Sequence, residues 1–196
     1  MRIQIVAVAA LASLLGGCAY SVHPLYKGGD TVEDNKIVGT WLYDAGTSGK
    51  GEVTIIKSGA QYEARLPLES GRENKYDVNL VKIGDQVFAD VFFKGVQVGS
   101  ELKESPPGTA PLHEFIKFSV NGDTLEWAII DQDWLAKQFE NKKLFIAHED
   151  YDDSRTVLTA APAELQGFLK LLNNSPDAFE KETAAKRKKE AAGLNK

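Results

Sequence analysis

The chain has 196 residues, a formal net charge of −5 and 26% charged residues. Six Lys and Arg side chains lie in the last sixteen positions, so the rest of the chain is strongly acidic. An acidic body argues against nucleic acid as a partner, because phosphate binding requires a basic face. Roughly 180 residues follow the apolar N terminus, a length that suits one domain with extensions.

The first seventeen residues have the layout of a secretory signal peptide. Arg2 supplies a positive charge, residues 3–15 are apolar apart from Gln4 and Ser13, and two glycines end the run. A membrane-spanning helix needs about 20 apolar residues. The pattern therefore predicts a signal peptide over residues 1–17 rather than a helical anchor.

Residues 15–18, Leu-Gly-Gly-Cys, resemble the bacterial lipobox. The resemblance implies that Leu15, Gly16 and Gly17 are recognised by the signal peptidase. It also implies that Cys18, the one cysteine of the chain, is acylated and anchors the protein to membrane lipid. In enterobacterial lipoproteins an aspartate after the cysteine is the signal for retention in the inner membrane. This chain has Ala19 at that position, so the resemblance implies the outer membrane, facing the periplasm. The alternative is an ordinary signal peptide with a chance cysteine.

Three zones follow the signal peptide. Residues 18–36 show no hydrophobic period and contain two adjacent glycines, which predicts a lipidated cysteine on a flexible tether. Residues 37–160 show the two-residue alternation of half-buried strands, separated by hairpin-type turns such as Asn121-Gly122. Residues 161–196 are predicted to form C-terminal helices and a basic tail, because Leu165, Phe168, Leu169 and Leu172 follow helical spacing.

The fold prediction is mainly β: an antiparallel up-and-down barrel of eight or nine strands, with a short inserted helix over residues 133–139 and a C-terminal helical extension. Gly95 to Pro111 is predicted as a long loop at the barrel mouth. The predicted strands cover residues 38–43, 52–57, 61–66, 75–82, 86–93, 113–120, 124–130, 144–148 and 155–159.

Residues 37–41, Ile-Val-Gly-Thr-Trp, resemble the Gly-x-Trp signature that opens lipocalin and lipocalin-like barrels. In that group the tryptophan plugs the closed end, and an arginine from the final strand commonly lies over its ring. The resemblance therefore implies a barrel-closing pair formed by Trp41 and Arg155, the arginine that opens the last predicted strand.

A wider set of segments resembles a family of small bacterial lipoproteins of unassigned function. Besides the lipobox and Gly-Thr-Trp, it comprises residues 21–26, 131–135, 157–160 and 164–168. This resemblance implies a lipocalin-like fold and a membrane address, and no activity.

Catalytic and metal-binding patterns are missing from the sequence. There is no nucleophile elbow and no phosphate-binding glycine loop. His23, His113 and His148 lack metal-ligand spacing, and the acidic run 149–153 lacks the spacing of a calcium loop, which favours a solvated turn. We therefore expect a protein that is not an enzyme and that uses no cofactor or metal.

Two functions remain open. In the first, the barrel encloses a small apolar or amphipathic ligand in a cavity of at least a few hundred cubic ångströms. In the second, the barrel is filled by its own side chains and serves as a structural or partner-binding module of the cell envelope. The basic tail, residues 181–196, is either a solvated helical end or a contact for anionic lipid headgroups or an acidic partner. The candidate wall residues for a ligand are Tyr62, Tyr76, Phe88, Phe92, Phe118 and Trp127.

Overall fold

The computed structural model describes residues 19–44, 49–104, 112–152 and 155–189, with the backbone alone at residues 151, 152 and 155. The described chain forms thirteen strands and two α-helices, α1 (Gln132–Glu140) and α2 (Pro162–Leu172). Short 3-10 turns lie at Asn35–Ile37 and Glu69–Gly71. The strands are β1 Tyr20–Ser21, β2 Thr31–Val32, β3 Gly39–Asp44, β4 Lys50–Ser58, β5 Gln61–Pro67, β6 Arg72–Ile83, β7 Gln86–Val98, β8 Glu101–Glu104, β9 His113–Asn121, β10 Thr124–Ile129, β11 His148–Asp152, β12 Arg155–Leu158 and β13 Thr183–Arg187.

Eight of these strands close into an antiparallel barrel, which confirms the predicted fold class. Their order around the barrel is β3, β4, β5, β6, β7, β9, β10 and β13, and β13 pairs back to β3. The first five are neighbours in chain order, and two-residue turns join β4 to β5 and β6 to β7, as the alternating segments and turn residues predict. Closure leaves no exposed edge within the barrel wall.

The eighth barrel strand comes from the C terminus, where helices were predicted. Ala185 pairs with Leu125 on one side and with Tyr43 on the other, so β13 fills the gap between β10 and β3. A gap flanked by two unpaired strand edges offers a full ladder of hydrogen bonds. The free energy gained from these hydrogen bonds to two neighbouring strands outweighs the helix propensity of the Ala-Ala-Lys-Arg segment. Helix α2 was predicted correctly, and its four spaced apolar residues are buried.

Two hydrophobic cores lie on opposite faces of the barrel wall. The inner core fills the barrel and includes Trp41, Tyr62 and Leu80. The outer core lies between the barrel and helix α2, where Phe88 packs with Leu169 and other buried residues. Strand β7 therefore has one face in each core, which explains its nearly continuous apolar run.

The segment predicted as a tether is packed against the barrel from Ala19 onward. Ala19 is 2% exposed and Leu25 is fully buried in the outer core. Strand β1 pairs with β9 and, in parallel, with β12. The prediction of a flexible tether is wrong for these residues because irregular extended chain can be buried without leaving a hydrophobic period.

The predicted barrel strands 144–148 and 155–159 are wrong: residues 144–147 form no strand, and β11, which begins at His148, pairs with β12 in a hairpin outside the barrel. The acidic run predicted as a solvated turn belongs largely to β11, where the Asp150 carboxylate accepts a hydrogen bond from the Thr156 hydroxyl at 3.2 Å. The inserted helix α1 is confirmed, and Asp131 caps it by accepting from the Trp134 backbone N–H at 2.8 Å. Neither of the described helices has the length and apolar character needed to cross a membrane.

Candidate functional site

The barrel contains an apolar cavity of about 150 Å³. Its lining includes Ile55, Val78, Leu80, Ala89 and Ile116, which alternate with outward-facing residues along their strands. This volume is below the roughly 300 Å³ at which ligand pockets usually begin. It equals that of an engineered apolar cavity that stays dry and binds benzene, at about 150 Å³.

One end of the barrel is closed by Trp41. The indole N–H donates to the Ile37 carbonyl at 2.8 Å, and the guanidinium of Arg187 lies over the ring at 4.1 Å from its centroid. Arg187 also donates to the carbonyls of Val38 at 2.6 Å and Lys36 at 2.8 Å. These contacts tie β13 to the start of β3 and close this end of the barrel.

The cation over Trp41 was predicted to be Arg155, and the structure places Arg187 there instead. The reasoning from a final-strand arginine holds, but the final strand is β13 and not β12, so a different arginine occupies the position. Arg155 begins β12 outside the barrel, and its side chain lies outside the described part of the structure.

The Gly-x-Trp signature has a steric reason in this chain. Gly39 has a φ of +143°, which L side chains rarely adopt, and a Cβ there would collide with Nη1 of Arg187. Glycine at position 39 therefore allows the guanidinium to reach both Trp41 and the Val38 carbonyl.

The opposite end of the cavity carries aromatic and polar groups. The rings of Tyr43 and Trp127 meet edge to face at a centroid distance of 5.3 Å. Gly51, paired with Tyr43 in register, leaves the space that the tyrosine ring occupies. Tyr76 and Glu114 also line this end, and Glu114 is the one charged residue among the described residues that line the cavity.

Both phenols at this end hold their protons more tightly than usual. Burial raises the pKa of Tyr43. Burial, with a contribution from the negative charge of Glu114, raises the pKa of Tyr76 to about 12, although a hydrogen bond from Asn74 opposes the shift. The two side chains are therefore neutral hydrogen-bonding groups at physiological pH.

The predicted wall residues divide between the two faces of the barrel. Tyr76, Phe118 and Trp127 line the cavity. Tyr62 lies in the inner core, where its hydroxyl accepts from the Asp34 backbone N–H at 2.9 Å. Phe88 and Phe92 were predicted to line the cavity, and this prediction is wrong.

Phe88 and Phe92 share one face of β7, and that face is the outer one. Phe88 is buried in the outer core, and Phe92 packs against the His113 ring at a centroid distance of 5.0 Å. The intervening residues Ala89 and Val91 line the cavity instead. Sequence alternation missed this because both faces of β7 carry apolar residues.

A buried carboxylate that sequence reasoning missed lies on the outer face. Asp90 is 1% exposed and accepts hydrogen bonds from the Leu25 backbone N–H at 2.5 Å and from Nδ1 of His113 at 2.6 Å. The pair fixes the N-terminal segment to β7 and β9. Among the described residues, no group of three or more His, Cys, Asp or Glu side chains is placed to hold a metal ion.

The predicted lipidation site, Cys18, and the recognition residues Leu15, Gly16 and Gly17 lie outside the described residues. Comparisons with known protein families, with curated proteins and with solved structures find no match to this chain.

Proposed function

We propose that the barrel binds a small apolar or amphipathic ligand inside its wall and that the protein is non-catalytic. The observation that carries this proposal is the apolar cavity of about 150 Å³, which has an aromatic and polar rim at one end. Water is a poor occupant of such a space because its hydrogen bonds would have few partners. An apolar group that enters it removes its own surface from water and fills the void.

The cavity volume limits the ligand to a small group. At about 150 Å³ it has room for a benzene-sized group or the end of a chain, and not for a whole phospholipid. The sequence-based expectation of a few hundred cubic ångströms was therefore too large. A ligand larger than this would keep most of its surface outside the barrel.

The proposal places the protein on the bacterial cell envelope, anchored to membrane lipid through acylated Cys18 and facing the periplasm from the outer membrane. Because Ala19 is buried against the barrel, an acylated residue 18 would hold the barrel directly at the bilayer surface. Replacing the thiol with a hydroxyl in Cys18→Ser should move the protein from the membrane to the soluble fraction. A membrane fraction unchanged by Cys18→Ser would contradict lipid anchoring.

The ligand-binding proposal is tested with residues 19–196 exported to the periplasm. Native and then denaturing mass spectrometry would detect small molecules that leave with the protein. Val91→Phe fills the cavity, whereas Val98→Phe makes the same change in the same strand at a position that is 38% exposed and outside the cavity lining. A molecule retained by wild type and Val98→Phe and lost from Val91→Phe is the expected result. Equal retention by all three proteins would contradict binding in the cavity.

The second candidate is a structural or partner-binding module with a filled barrel. Two observations favour it: the cavity is smaller than most ligand pockets, and Phe145 is 84% exposed beside a surface groove of about 450 Å³. A barrel that carries no small molecule and does not bind an apolar probe such as 3,3-dimethylbutan-1-ol would favour this function, and the search would turn to envelope proteins.

A further inference from the structure

Strand β11 lies at one end of the sheet, with a neighbour on one side. In the part of the chain that the structure describes, β11 pairs with β12 alone. The Thr159 backbone N–H donates to the Ala147 carbonyl at 2.8 Å, and the backbone groups of alternate residues in an antiparallel pair face opposite sides. Those of His148 and Asp150 therefore face away from β12. An unpaired row of this kind is a template for pairing with another strand.

An apolar groove lies directly before this edge. It has a volume of about 450 Å³, and its lining includes Phe139, Leu144, Ile146 and His148. The rings of Phe139 and His148 are stacked at a centroid distance of 3.9 Å. Phe145 also lines the groove, and its side chain is 84% exposed. One patch thus has both a projecting aromatic ring and an apolar space that can receive one, as interaction surfaces often do.

The charges that flank the groove have opposite signs at its two ends. Lys142 and Lys143 are exposed before the apolar residues. Glu149 and Asp150 are exposed after them. Antiparallel pairing with a second copy, about a two-fold axis near Ala147, brings the lysines of each copy close to the carboxylates of the other. The segment is therefore complementary in charge to itself, as a two-fold interface requires.

We propose that a second copy of this chain docks on this surface, so that the β11 edges pair antiparallel and each Phe145 ring enters the groove of the other copy. The Phe145 ring is then removed from water, which supplies much of the favourable free energy. A bulge between Asp150 and Asp152 interrupts the edge, so pairing is confined to the N-terminal half of β11. The barrel cavity takes no part in this dimer, and the inference is independent of ligand binding.

Sedimentation of residues 19–196 over a range of concentrations measures the dissociation constant of the dimer. Phe145→Ser should raise this constant about tenfold or more. Leu171→Ser is the matched control, because it removes an apolar side chain that is 52% exposed on α2, and it should leave the constant unchanged. A wild-type protein that stays monomeric at about 1 mM would overturn the proposal. So would equal dissociation constants for wild type and Phe145→Ser.

Charge reversals test the two-fold arrangement. Lys143→Glu places carboxylates on both sides of the contact and Glu149→Lys places amines there, so each variant should dimerise severalfold more weakly than wild type. A mixture of the two variants should form a heterodimer, because each contact then joins a lysine to a glutamate. Glu101→Lys, the same reversal on β8, should have no effect. A mixture that associates no more tightly than either variant alone would overturn the pairing.

A lipid surface is the other occupant that an exposed ring beside two lysines could contact. Vesicles with and without anionic phospholipid distinguish the two. The proposal predicts that Phe145→Ser changes the dissociation constant of the dimer and leaves vesicle binding as it is in wild type. A monomeric wild-type protein that binds anionic vesicles, and loses this binding in Phe145→Ser, would overturn it.

Discussion

The guanidinium carbon of Arg187 lies 4.1 Å from the centroid of the Trp41 ring, and it joins the last described strand of the chain to the first strand of the barrel. The same side chain satisfies two backbone carbonyls at the closed end. A single residue near the C terminus thus completes the barrel wall and its plug.

Loss of this contact should destabilise the whole barrel. Arg187→Ala removes the cation–π contact and leaves two carbonyls without a donor, so we expect a loss of about 2–4 kcal/mol in the free energy of unfolding. Gly39→Ala should also lower the free energy of unfolding, because the new Cβ would displace the guanidinium. Chemical denaturation measures both, with the exposed Lys189→Ala as control. Equal stability of Arg187→Ala and Lys189→Ala would contradict this role.

The strand conformation of the C-terminal segment predicts a contrast between two adjacent alanines. Ala185 is fully buried and faces the barrel interior, whereas Ala184 is exposed. Ala185→Asp places a carboxylate in the inner core and should cost several kcal/mol or prevent folding. Ala184→Asp should change stability by no more than about 0.5 kcal/mol. Thermal unfolding of the two variants tests the pairing of β13, and equal effects would argue against it.

The buried Asp90 should control the order of the N-terminal segment. Asp90→Ala removes the acceptor for the Leu25 N–H and for His113, and should cost about 2–4 kcal/mol. Hydrogen exchange over residues 20–32 should be faster in the variant than in wild type, and this increase should be larger than any increase in the barrel strands. Asp85→Ala, in the exposed turn between β6 and β7, is the control. Unchanged exchange over residues 20–32 would show that Asp90 does not hold this segment.

Stability should fall at high pH because of Tyr76. Its pKa is about 12 in the folded chain against 10.0 in the unfolded chain, so the folded state holds the phenol proton more tightly. The stabilisation that results from this tighter proton binding is fully present below pH 10 and is lost as the pH rises from about 10 to about 12. Over that range, wild type should lose about 2–3 kcal/mol more than Tyr76→Phe. Parallel pH profiles of the two proteins would contradict the burial of this hydroxyl.

The barrel itself could be predicted from sequence because its hairpins are local. Alternating segments joined by short turns, such as the one between Asn121 and Thr124, specify antiparallel neighbours directly. Helix α2 could also be predicted from the sequence, because its apolar stripe and Pro162 are local signals. The closed-end tryptophan was found through the Gly39-Thr40-Trp41 signature.

The features that sequence analysis missed depend on contacts between distant parts of the chain. Strand β13 exists because β10 and β3 leave a gap, and nothing in residues 183–187 signals this. The assignment of Arg155 to the closed end failed for the same reason. The side chains of β7 could not be assigned to faces because Phe88 and Ala89 are both buried, one in each core.

The most direct test of ligand binding in the barrel is to locate a bound probe by intermolecular NOEs. With 3,3-dimethylbutan-1-ol in excess, the account predicts NOEs from its methyl groups to the methyl groups of Val78, Leu80 and Ile116, which line the cavity. These signals should disappear in Val91→Phe. NOEs confined to outer-core methyl groups such as those of Leu165 and Leu169, or no NOEs at all, would contradict a ligand site inside the barrel.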